Sequence, residues 1–90
     1  MNIAKIKQAL IDERNSYGYD VKDTISAHIN ETDTNICSIR MVFGGSANNV
    51  YDIELTIENY KVIWVVTNVV GISLQSIDSM AKAIKACKSK

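Results

Sequence analysis

Two consecutive segments of the chain obey different rules. From Val50 to Glu58 the sequence reads VYDIELTIE, and Tyr51, Ile53, Leu55 and Ile57 alternate with Asp52, Glu54, Thr56 and Glu58. A strand with that period buries one face and wets the other. Its successor, Lys61 to Val70, reads KVIWVVTNVV, with Val62, Trp64 and Val66 on one side and Ile63, Val65 and Val69 on the other. Both of its faces seek cover. Only Asn59 and Tyr60 separate the two segments, which predicts a two-residue hairpin turn in which Asn tolerates positive φ and Tyr stands where Gly is usual. An unbroken pairing from Glu58 opposite Lys61 sets Val62, Trp64, Val66 and Asn68 beside Ile57, Leu55, Ile53 and Tyr51 on the core side. The same register sends Ile63, Val65 and Thr67 outward beside Thr56, Glu54 and Asp52.

The remaining pattern supplies four more elements. Asn2 can cap a first helix whose Ile3, Ile6, Leu10 and Tyr17 fall near one stripe, with Lys5, Lys7, Asp12, Glu13 and Arg14 toward water. Gly18 then stands where a helix ends in a left-handed residue. Val21 to Asn30 alternates as a strand, with Val21, Ile25, Ala27 and Ile29 inward. After the polar turn Glu31 to Asn35, a second strand runs from Ile36 to Phe43 with Cys37, Ile39, Met41 and Phe43 inward. Gly44 to Asn49 is a cluster of breakers. Gly71 ends the last strand, and Ser73 caps a final helix, with Ile72 and Ile77 spaced as a hydrophobic staple. Leu74, Ile77, Met80, Ala81, Ile84 and Cys87 form that helix's apolar stripe.

These elements predict an α+β fold of two layers, in the order α-β-β-β-β-α. A four-stranded antiparallel meander with both terminal helices on one face lets each layer bury its apolar side. Ninety residues make a single domain, 1–90. The opposite face of the sheet is then bare, and Ile36, Val42, Ile63, Val65 and Val69 are expected to form an apolar patch there, with Arg40 opposite Glu54 as a cross-strand ion pair.

Composition narrows the function classes. With 47% hydrophobic and 22% charged residues the chain has an ordinary globular profile. Its apolar runs fall short of the roughly 20 residues a membrane helix needs, and MNIAKIKQAL leads into charged residues without a cleavage-like motif, so a cytoplasmic protein with no membrane partner is expected. Cys37 and Cys87 are too few for a disulfide framework or a zinc site, and two buried, reduced thiols are expected. No metal and no cofactor is expected either.

The formal charge of zero is unevenly placed. Between Asp20 and Tyr60 two cations, Lys22 and Arg40, face seven carboxylates, whereas from Lys61 onward five lysines face Asp78 alone. Lys82, Lys85 and Lys88 on the final helix therefore offer a nucleic-acid reading, with Tyr17, Tyr19 or Tyr60 as stacking platforms. A solvated helix end accounts for the same lysines, and the acidic sheet with few arginines argues against that partner. The carboxylates of the sheet can be read the opposite way, as an imitation of a phosphate backbone.

Catalytic candidates are sparse. His28, the only histidine, falls on the outer face with Lys22, Thr24 and Ser26, without a nucleophile or orienting carboxylate. Asp23 has inward parity, but at the start of a strand it reaches water. Cys37 sits on core parity, away from the electropositive, exposed setting that activates a thiol. The loop Gly44 to Asn49 has small residues able to cradle an anion, but neither a helix start nor GK[ST] follows. No catalytic residue is assigned.

In size and in its helix, strands, helix order the chain loosely resembles small phage-encoded inhibitors such as anti-CRISPR proteins. The likeness is architectural, implies an anti-defence inhibitor with an acidic surface, and transfers no residue's role. The residues themselves point to a non-catalytic protein-binding module, an adaptor or inhibitor, acting through the bare sheet face. Ile63, Val65, Thr67, Val69, Arg40, Val42 and Glu54 are its expected interface, and a second copy is the first candidate partner because a two-fold contact lets one patch serve both sides.

Overall fold

The computed structural model describes residues 1–44, 50–68 and 74–89. In chain order the elements are α1 (Ile3–Ser16), β1 (Ile25–Ile29), β2 (Ile36–Gly44), β3 (Val50–Glu58), β4 (Lys61–Thr67) and α2 (Leu74–Ala86), followed by a 3-10 turn at Cys87–Ser89. The strands form one antiparallel sheet in the order β1-β2-β3-β4, so the expected α+β meander is the observed one. Cys37, Ile39, Met41, Phe43, Ile53, Leu55 and Ile57 share one face of the sheet. They make one buried cluster with Ile6, Leu10, Met80 and Ile84, so both helices lie on that face.

The N-terminus of α1 is capped by Asn2, whose side chain accepts from the Lys5 amide at 3.1 Å. Its C-terminus closes with a two-bond motif. The amide of Tyr19 donates to the Arg14 carbonyl and that of Gly18 to the Asn15 carbonyl, both at 3.0 Å, around Gly18 at φ +87°. The buried stripe departs from expectation at its last turn. Arg14, expected in water, is only 4% exposed, whereas Tyr17, expected on the stripe, is exposed. The Arg14 guanidinium forms a two-pronged pair with Glu13 and lies 5.3 and 5.7 Å from the rings of Tyr17 and Tyr19. Its stem is covered while its charge is held by a carboxylate and two aromatic faces. Tyr19 in turn packs on Phe43 and Tyr51, closing this end of the core with three rings.

β1 is shorter than the alternation predicts. Residues 22–24 form a turn, with the Thr24 amide donating to the Val21 carbonyl, so Val21 is buried from outside the strand and Asp23 is exposed as expected. Ile29, expected inward, is exposed. The β1–β2 connection is a run of side-chain turns in which Asn30 Oδ1 accepts from the Thr32 and Asp33 amides and Asp33 Oδ1 from that of Asn35. Gly45 to Asn49, Val69, and the cap and staple expected at Ile72 and Ser73 lie outside the described residues.

Candidate docking face

The site is decided by how β4 joins β3. The connecting turn is the expected one, with Asn59 at φ 49° and Tyr60 at φ 65°, the doubly left-handed form that suits a two-residue hairpin. Tyr60 bears that conformation while clamped from both sides: its hydroxyl accepts from the Asn2 amide at 2.8 Å, and its own amide donates to the Met1 sulfur at 3.0 Å. Glu58 faces Lys61 and Ile57 faces Val62, as the unbroken register requires. Thr56, however, faces Trp64 rather than Ile63, and from there Leu55 faces Val65, Glu54 faces Val66 and Ile53 faces Thr67. Ile63 is an inserted residue, a β-bulge.

One extra residue reverses the parity of everything beyond it. Val65 and Thr67, expected outward, are on the core side: Val65 packs against the buried cluster and Thr67 is half-buried opposite buried Ile53. Trp64 and Val66, expected inward, are on the bare face. Ile63 remains exposed as expected. The three side chains are 47% (Ile63), 66% (Trp64) and 54% (Val66) exposed, in sequence on one edge strand.

Asn68 accounts for the choice. Its amide donates to the Asp52 carbonyl at 3.2 Å, its Oδ1 accepts from the Asp52 amide at 2.9 Å, and its Nδ2 donates to the Val50 carbonyl at 3.0 Å. Asn68 therefore continues the ladder opposite Asp52 with both backbone and side chain. The turn fixes Lys61 opposite Glu58 at the other end. From 58 back to 52 there are seven residues and from 61 on to 68 there are eight, so β4 must accommodate one more than its partner. Hydrophobicity does not oppose this, because both parities of β4 are apolar.

Beside the apolar edge the bare face is polar. Arg40 lies opposite Glu54 in register, as expected, but its ion pair goes diagonally to Asp52, with Nε to Oδ1 at 2.9 Å and Nη2 to Oδ2 at 2.5 Å. The fork geometry favours a carboxylate reached two-pronged over the one directly across. This pair holds the Asp52 carboxyl below its usual range and raises Arg40 further, with Glu54 adding a weaker attraction to Arg40. Glu54 makes no ion pair among the described residues. Val42, opposite Asp52, is half-buried on this face, and Ser38 and Thr56 hydroxyls meet at 3.5 Å. A shallow depression of about 360 Å³ between Arg40, Glu54 and Val66 adjoins the apolar edge.

His28 is exposed opposite Ser38. Cys37 and Cys87 are buried free thiols, and burial pushes the Cys37 thiol up. Among the described residues no group of three or more His, Cys, Asp or Glu is placed to hold a metal ion, and no helix is long and apolar enough to cross a membrane. Lys82, Lys85 and Lys88 come together on the helix side, where Lys61 joins them in a groove. The sequence pattern does not link Lys61 to them, since only the hairpin brings it there. Comparison with known protein families, curated proteins and solved structures finds no match to the chain.

Proposed function

We propose that this protein is a non-catalytic binding module, an adaptor or an inhibitor that acts by covering a surface, and that it docks through the bare sheet face along β4. The observation that carries this reading is the row Ile63, Trp64 and Val66, three large apolar side chains left in water side by side on an edge strand. Their exposed area is roughly 300 Å², enough for the apolar centre of an interface but short of the roughly 800 Å² per partner of a stable complex, so the polar surface around Arg40 and Glu54 must also contribute.

A second copy is the partner that fits best. The patch carries an exposed arginine and a carboxylate, Glu54, without an ion pair among the described residues, so a two-fold axis can set the cation of one copy against the carboxylate of the other while the apolar rows meet. Sedimentation velocity over a concentration series tests this. The wild type is expected to dimerise, and Val66→Lys, which keeps a favourable partner in Glu54 across the strands, to stay monomeric and folded. A wild type that remains monomeric up to about 0.5 mM, or a Val66→Lys protein that dimerises equally well, rejects the second copy.

A further inference from the structure

The groove on the helix side is walled by the β3–β4 turn on one side and by α2 on the other, and it measures about 630 Å³. Lys82, Lys85 and Lys88 recur at three-residue intervals, which places neighbours on one helical face. Lys61 enters from β4. Like charges at that spacing repel, and the helix dipole offsets this only in the last turn. Glu58 and Asp78 also line the groove, yet neither forms an ion pair with any of the four lysines among the described residues. Four cations against two carboxylates leave a positive surplus facing a concave space.

The floor has a different character. Tyr60, Val62 and Ala81 are half-buried in the groove. Tyr60 occupies the left-handed region that bulky residues avoid, and its bonds to Asn2 and Met1 hold it there. Held in that conformation and half-buried in the lining of a cationic groove, Tyr60 offers an aromatic surface for a flat apolar body. The volume lies within the ~300–1,000 Å³ range of small-molecule sites. A long nucleic-acid strand fits less well, because Glu58 and Asp78 stand in the groove itself and interrupt a continuous basic track.

We infer that this groove binds a phosphate-bearing small molecule of the nucleotide class, with its phosphates among Lys61, Lys82 and Lys85 and its base over Tyr60 and Val62. The test is a titration of the ¹⁵N-labelled full chain, followed by amide chemical shifts, with adenosine triphosphate, inorganic triphosphate, adenosine and a series of oligothymidylates of increasing length. Saturable shifts at Tyr60, Val62, Ala81 and Lys82 are expected with adenosine triphosphate, with weaker binding of either half alone. The double substitution Lys82→Glu, Lys85→Glu should weaken binding at least about tenfold, and Lys61→Gln less, while circular dichroism shows the fold intact. No saturable shift at about 5 mM, or equal binding by the double variant, overturns the assignment. Affinity that climbs steadily with oligothymidylate length also overturns it, in favour of a strand-binding surface.

Discussion

The bulge at Ile63 makes adjacent valines opposite in kind, and replacing each with Glu exposes the difference. Val65 faces Leu55 and packs on the core, so Val65→Glu removes apolar burial and sets a carboxylate against buried Leu55 and its neighbours. Full burial of a valine is worth about 1.5–3 kcal/mol, and a poorly solvated polar group costs about 1–3 kcal/mol, so for a half-buried site the expected loss is about 2–4 kcal/mol. A chain of this length has on the order of 5 to 10 kcal/mol to lose. Val66→Glu leaves the core untouched and adds only repulsion from Glu54 across the strands, about 0.2–1 kcal/mol. Urea unfolding followed by far-ultraviolet circular dichroism measures both. The two variants should also differ with pH. The carboxyl introduced at 65 has its folded pKa raised by burial above the unfolded ~4.3, so the ionisation part of the Val65→Glu penalty is absent below about pH 4 and grows as pH rises toward and through the folded value, while the part due to lost apolar burial remains at every pH. If Val66→Glu proves the more damaging of the two, β4 pairs without a bulge and Trp64 and Val66 do not lie on the bare face.

Three further outcomes follow from the same structure. Arg40→Gln should let the Asp52 carboxyl titrate nearer its ordinary value; because the pair depresses the folded pKa, its stabilising effect in the wild type is present above about pH 4 and disappears as pH falls through that lowered value, which carboxyl ¹³C shifts read directly. Gly18→Ala forces a side chain into φ +87° at the end of α1 and should cost about 1 kcal/mol in urea unfolding, although nothing lies within 4 Å of the added methyl. Cys37 and Cys87 should react with a thiol reagent in urea but far more slowly in the native protein, since both are buried and the Cys37 thiol is shifted away from its reactive form.

Alternation and breakers made the architecture legible: the inward sets of β2 and β3, the Asn59–Tyr60 turn and the capping roles of Asn2 and Gly18 all follow from local rules. The docking face was half legible. A bare sheet face follows from placing two helices on one side, and Ile63 belongs to it in either register. Val65 and Trp64 exchanged places because both parities of β4 are apolar, and hydrophobic pattern fixes register only when one parity is polar. The deciding residue is Asn68, whose amide acts as a second backbone unit toward Asp52, and nothing in the local pattern marks an asparagine for that role. Arg14 was misplaced for a related reason: periodicity sorts residues by polarity, while its burial depends on Tyr17 and Tyr19 beyond the helix end.

Because the bulge turns Trp64 outward, the chain carries its only indole on the bare face rather than in the core. Denaturation moves that ring from largely wet to wholly wet surroundings, so tryptophan emission should barely register the loss of the fold. Dehydration of the ring by an arriving partner should instead shift the emission strongly to the blue, so intrinsic fluorescence of this protein reads occupancy of its surface and is nearly silent on its folding.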